Sequence, residues 1–239
     1  MTDLIQSFNL TPAQWAVAIL SGLLVGIAKT GISGAGMLAI PLLAAIFGGK
    51  TSAGLLLPML CAGDIAGVAY YHAHASWHHL RRLLPWALAG ILLGVYVGGI
   101  ITDRQFRLIM GFAVLGGITI MIWRERFNHG EIISDRRWFA ALMGLLGGFT
   151  SMIGNAAVPV VALYFLSMQI PKFTYIGTWA CFFLIVNCAK VAVQGVVWGT
   201  ITPHTLAFDA LMLPAIAAGA VIGVIILRLI PEKVYRTAI

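Results

Sequence analysis

Two stretches of this chain place serine, glycine and proline in the same order inside apolar surroundings. They are Ser33-Gly-Ala-Gly-Met-Leu-Ala-Ile-Pro41 and Ser151-Met-Ile-Gly-Asn-Ala-Ala-Val-Pro159. Ser33/Ser151, Gly36/Gly154 and Pro41/Pro159 share one offset of 118 residues, and Gly22-Leu-Leu-Val-Gly26 leads in as Gly144-Leu-Leu-Gly-Gly148 does. Each stretch reads as a helix that stops and restarts. Glycine lets a ligand approach the backbone closely. The restarting helix, expected after Gly36 in the first case, aims free N–H groups and the positive end of its dipole into the gap. The first break adds the hydroxyls of Thr30 and Ser33, the glycines Gly34 and Gly36, and the ammonium of Lys29. The second offers Thr150, Ser151, Gly154 and Asn155 but no cation. That chemistry suits a small, hydrogen-bonding anion. The competing reading is close helix packing through glycine; the duplication and Lys29 favour binding.

Three further polar residues lie in apolar helical stretches. Asp64-Ile-Ala-Gly-Val-Ala aligns with Asn187-Cys-Ala-Lys190-Val-Ala, so Asp64 and Asn187 match, and Lys190 follows Asn187 by one helical turn. Ionisable groups within a membrane span are costly and mark functional sites by default. Asp64 is the candidate for a coupling proton, against the alternative of a purely structural pair with Lys190. His72, His74, His78 and His79, with Tyr70, Tyr71 and Trp77, read as an interfacial loop and aromatic belt rather than a metal site. Asp209 lies near the start of its span and reads as interfacial. Cys61, Cys181 and Cys188 lack metal-ligand spacing and read as small buried hydrophobes. Nothing resembles a nucleotide loop or a nucleophilic triad, so neither an enzyme, a cofactor nor a metal is expected.

The elements that position these residues follow from composition. With 60% hydrophobic residues, 10% charged residues and 27 glycines, the chain reads as an all-α polytopic membrane protein. The net charge of +7 reads as cytoplasmic loop charge, not nucleic-acid binding. No basic n-region or cleavage site marks a removable signal. The first repeat, 1–128, is expected to hold a broken segment at 13–48 and helices at about 51–73, 82–101 and 105–123. After a polar loop at 124–137, the second repeat, 129–239, is expected to hold a broken segment at 138–169 and helices at about 172–197 and 205–229. Asp103-Arg-Gln-Phe-Arg107 aligns with Glu232-Lys-Val-Tyr-Arg236, so a final helix matching 105–123 is expected but absent from this sequence.

Loop charge selects the topology. If each broken segment crosses once, six basic loop residues oppose seven. If each enters and returns, as a re-entrant hairpin or two short spans, Lys172, Arg228, Lys233 and Arg236 join Arg81, Arg82 and the four arginines of 124–137. Ten then oppose Lys50, Arg104 and Arg107. The second arrangement satisfies the positive-inside rule. It puts the central loop in the cytoplasm, the N-terminus outside, and the halves in inverted relation, the plan of alternating-access carriers. The sequence implies a bacterial-type inner membrane, a small anionic substrate and a lipid bilayer as partners, and leaves an oligomer open. A passive anion channel and a non-transporting assembly subunit are the rival readings.

At these residues the chain resembles the sulfite exporter TauE/SafE family. The resemblance rests on Lys29 to Leu43, on Gly154 to Pro159, on Ile176-Gly-Thr178 and on Asn187-Cys-Ala-Lys190, with Pro58, Asp64, Pro85 and Gly94 in order. It implies transport of small sulfur-containing or carboxylate anions, such as sulfite or organosulfonates, with proton coupling. Gly154-Asn-Ala-Ala157 departs from the commoner Gly-Gly-Pro-Pro and puts a side-chain amide, Asn155, where many members have backbone alone.

Overall fold

The computed structural model describes residues 7–31, 33–127 and 136–230, all helices and turns. The helices are α1 (Pro12–Thr30), α2 (Ala39–Phe47), α3 (Gly49–Tyr71), α4 (Trp77–Ile100), α5 (Asp103–Phe127), α6 (Arg137–Gly154), α7 (Val158–Ser167), α8 (Lys172–Val196) and α9 (Pro203–Leu229). Short 3-10 turns lie at Ser33–Leu38 and His72–His74. Helices α1, α3, α4, α8 and α9 are apolar and long enough to cross a bilayer. The protein is an all-α multi-pass membrane protein.

Local chemistry accounts for the helix ends. Thr11 and Gln14 form a capping box at the start of α1, and Thr202 with Thr205 does so for α9. Asp103 Oδ1 accepts from the Lys50 backbone N–H at 3.0 Å, satisfying one of the orphan donors of α3. Helix α4 starts at Trp77, five residues before the expected boundary, and α5 continues to Phe127, through Arg124 and Arg126. A charged residue ends an apolar window but not a helix, because the backbone hydrogen-bond ladder continues past it. His78 and His79 therefore belong to the first turn of α4, not to a loop. The remainder of the expected central loop, 128–135, lies outside the described residues, as do 231–239.

Two other expectations change. Lys172, counted as loop charge, is buried, and its Nζ donates to the carbonyls of Leu227 and Ile230 at 2.6 and 2.7 Å. It closes the open carbonyl end of α9, a role for which a cation suits the helix dipole. Asp209, expected at the interface, is buried within α9.

The broken segments double back. Helix α7 is 10 residues, about 15 Å, and α2 is 9 residues, about 14 Å, so each is a half-span. A Cβ on Gly147 of α6 would touch Val161 of α7 at 3.1 Å, and one on Gly36 would touch Ala28 of α1 at 3.0 Å. A single kinked helix would separate Gly147 from Val161 by about 21 Å. The α-helical restart of the first break comes at Ala39, later than expected, because Ser33–Leu38 winds as the tighter 3-10 form.

Helix directions follow from the contacts. Gly22 and Gly26 of α1, and Gly31 just past its end, meet α9 near Met212, Gly219 and Gly223 in the same order, so the two run parallel. Gly144 and Gly148 of α6 meet α4 at Leu83 and Ala87, while Gly90 and Gly94 meet Leu145 and Met152, again parallel. Thus α1 packs on α9, and α6 packs on α4. Helix α3 runs parallel to α1 and antiparallel to α8, with Gly67 against Ala180 and Tyr71 against Gly177. Trp198, just past α8, packs on Gly98 near the end of α4, so α4 runs with α8 and against α3. Helix α6 therefore points opposite to α1.

Candidate functional site

Where the two doubled-back segments meet, helix α7 touches the Ser33–Leu38 turn, and α3 and α8 cross between them. Gly63 of α3 leaves room for the stem of Lys29, whose Cγ would lie 2.8 Å from a Cβ there, and Gly67 lets the Lys29 carbonyl approach α3. Lys29 thereby reaches Asp64: its Nζ lies 2.7 Å from Oδ1 and 4.5 Å from the centroid of the Phe183 ring. Phe183 adds a cation–π contact to the ion pair.

The polar chain continues across the molecule. Asn187 Nδ2 donates to Asp64 Oδ2 at 2.6 Å, and Asn187 Oδ1 accepts from Lys190 Nζ at 3.2 Å. Lys190 Nζ also donates to Ser151 Oγ at 2.9 Å and to Asn155 Oδ1 at 2.5 Å. Lys29, Asp64, Asn187, Lys190, Ser151 and Asn155 are all buried. One connected path thus joins the first break to the second. Its two cations sit in different company. Lys29 faces a carboxylate, whereas the three N–H groups of Lys190 reach three neutral oxygens. Those bonds satisfy its hydrogens but bring no carboxylate into contact with it, a costly arrangement for a buried cation.

Asn155 holds the second break open. It sits at φ 56°, ψ 20°, left-handed, and ends α6, with its N–H returning to Ser151 O at 2.9 Å. Asparagine is the non-glycine residue that best tolerates this conformation. Its amide is used at both ends, with Nδ2 donating to Ala53 O on α3 at 3.0 Å. Beyond it, Pro159 lies in the first turn of α7, where a missing N–H costs nothing.

A cavity of about 20 Å³, the size that one or two waters fill, lies at this junction. Lys29, Ser151, Asn155 and Asn187 form its polar side, joined by Gly36 and Val158 from the two breaks. The rest of the lining is apolar and includes Leu56, Leu60, Trp179 and Phe183.

The sequence-derived residues divide accordingly. Lys29, Asp64, Ser151, Asn155, Asn187, Lys190 and Gly36 come together. Thr30 faces away: its Oγ1 donates to Gly26 O at 3.1 Å and Ala220 O at 2.8 Å, in the packing between α1 and α9. Gly154 abuts Met110 of α5. The side-chain surroundings of Ser33 and Gly34 lie outside the described residues. The second break, expected to lack a cation, receives Lys190 from α8. Trp179 and Phe183 were missed by sequence reasoning, yet Trp179, Phe183, Asn187 and Lys190 recur at helical spacing and mark one face of α8.

The histidines do not join this site. His79 Nδ1 pairs with Tyr164 Oη at 3.2 Å, and His74 packs against Phe173. Among the described residues no cluster of three or more His, Cys, Asp or Glu side chains is poised for a metal ion.

Comparison with known proteins follows from this geometry. Neither the curated proteins nor the solved structures offer a match to the chain. A family model described as sulfite exporter TauE/SafE matches residues 18–239, which include both breaks and the whole polar chain between them. The chain belongs to the sulfite exporter TauE/SafE family of membrane proteins.

Proposed function

We propose that this protein is a secondary carrier, an exporter, of a small sulfur-containing or carboxylate anion, bound where the two breaks meet. The observation that carries the reading is Lys190, a buried ammonium held by neutral oxygens alone. An anion that replaces one of those oxygens keeps the hydrogen bond and adds the missing counter-charge. Ser151, Asn155 and Asn187 orient it, and Lys29 supplies a second cation at the cavity edge. Asp64, paired with Lys29 and linked to Lys190 through Asn187, is the coupling group. Family membership supports the transport reading and the anion class.

The halves, 1–128 and 129–239, act as inverted repeats in this proposal. Support comes from the opposed directions of α1 and α6 and from the exchanged pairing of α1 with α9 and α6 with α4. Equivalent elements on opposite sides of one site are the requirement for alternating access. The small size of the cavity, lined in part by Leu56, Leu60 and Trp179, favours a carrier over an open channel. The proposed setting is an inner membrane with the central loop cytoplasmic and the N-terminus outside. Withdrawing Lys172 from the loop charge leaves nine basic residues against three, so the bias keeps its sign.

The test is thermal stability of the purified protein against sulfite, sulfate, thiosulfate, sulfoacetate, lactate and chloride. A ligand of the folded state raises the melting temperature by mass action. A selective rise for one anion, abolished in Lys190→Met, is expected. A flat response to the whole panel at millimolar concentration would overturn the reading.

A further inference from the structure

The ionisable groups gathered at the breaks do not cancel. Lys29 and Asp64 balance each other at 2.7 Å, and Lys190 stands against neutral oxygens, so the buried cluster sums to +1. The other cavity-lining residues are uncharged. A monoanion bound here brings the total to zero. A dianion brings it to −1, and a net charge held away from water is costly. One group in the cluster can absorb the difference. With a proton on Asp64, Lys29 is released from its ion pair toward the cavity that it lines, and two lysines face two negative charges.

Resting on the anion-carrier reading above, we propose that the loaded site is held at zero net charge, so that the valence of the anion sets how many protons enter with it. A monoanion binds with none, and a dianion binds with one, carried on Asp64. The proton comes from solvent and adds to a carboxylate oxygen of Asp64; no bond within the anion is made or broken, and the proton leaves when the dianion does. The groups bearing on Asp64 are Lys29 from α1, Asn187 and Lys190 from α8, and the Cys61 thiol from its own helix. Asp64 is the carboxylate among them, and so the group that can take up a proton to cancel the second negative charge.

The experiment compares two probes whose own charge is constant across the neutral pH range, sulfate (dianion) and methanesulfonate (monoanion), on the purified full chain. Sulfate affinity relative to methanesulfonate should rise by up to about tenfold for each pH unit lowered. Titration in weak buffer should show close to one proton taken up per sulfate and none per methanesulfonate. Every other group of the site meets both probes alike, so their ratio isolates Asp64. In Asp64→Asn the ratio should lose its pH dependence and favour sulfate. If both probes bind, and lose binding in Lys190→Met, but show equal proton uptake, the charge balance is wrong and the anion site stands. If neither probe binds, the anion-site reading fails and this inference with it. Should Asp64→Asn fail to fold, the proton count on the unaltered protein decides.

Discussion

Asn187 Nδ2 donates to Asp64 Oδ2 at 2.6 Å, joining two residues that align when Asp64-Ile-Ala-Gly-Val-Ala is set against Asn187-Cys-Ala-Lys-Val-Ala. That contact places α3 and α8 at the centre and makes Asn187 the bridge between the two lysines. In the sequence alignment of the two segments Gly67 stands opposite Lys190, and its missing side chain lets the Lys29 carbonyl approach α3.

Asn187→Leu should lower stability by about 1–3 kcal/mol, because Asp64 Oδ2 and Lys190 each lose a buried partner. Thermal unfolding in detergent measures this. Asn187→Asp should act differently, placing a carboxylate against Lys190 as an internal counter-ion. It should remove the anion-dependent stabilisation, and an unchanged anion response would contradict the role assigned to Lys190.

Lys29→Met strands Asp64 without its cation. The expected cost is about 3–5 kcal/mol. Adding Asp64→Asn removes the stranded charge, so the double variant should melt above Lys29→Met alone. A double-mutant cycle reads the coupling directly. Additive effects would mean that the 2.7 Å contact carries no energy.

Asn155→Gly and Asn155→Ala separate conformation from contact. Both lose the bonds to Lys190 and Ala53, but glycine keeps the left-handed backbone freely. The alanine variant should be less stable than the glycine variant by about 1–2 kcal/mol. Both should weaken anion binding, measured by the melting shift. Equal stability of the two would show that the backbone has relaxed out of the left-handed region.

The glycine seams should tolerate little. A Cβ on Gly148 or Gly90 would collide with the carbonyl of Ala87 or Leu145, and one on Gly26 with that of Ile216. Gly148→Val and Gly26→Val should each cost about 1–3 kcal/mol or more through overpacking. Gly99→Val is the control, since nothing stands within 4 Å of its Cβ position. Monodisperse yield and melting temperature in detergent give the comparison.

Much of this protein follows from local order in its sequence. Apolar run length is enough to mark spans, because each must reach across hydrocarbon. Repeated Gly and Pro positions mark the breaks, because backbone conformation is a property of the residue and its neighbours. Asp64 and Lys190 stood out for the same kind of reason, as charges in apolar company. Partnership is different, since it depends on how separate helices cross. Only the tertiary structure decided that Lys190 of α8 serves the break at Ser151 and Asn155, and that Lys29 serves Asp64. It turned the hydroxyl of Thr30 into the α1–α9 seam and drew Lys172 from a loop onto the carbonyls of α9. Side-chain direction at a helix end depends on the neighbour that packs there, and that neighbour lies more than 50 residues away in sequence in both cases.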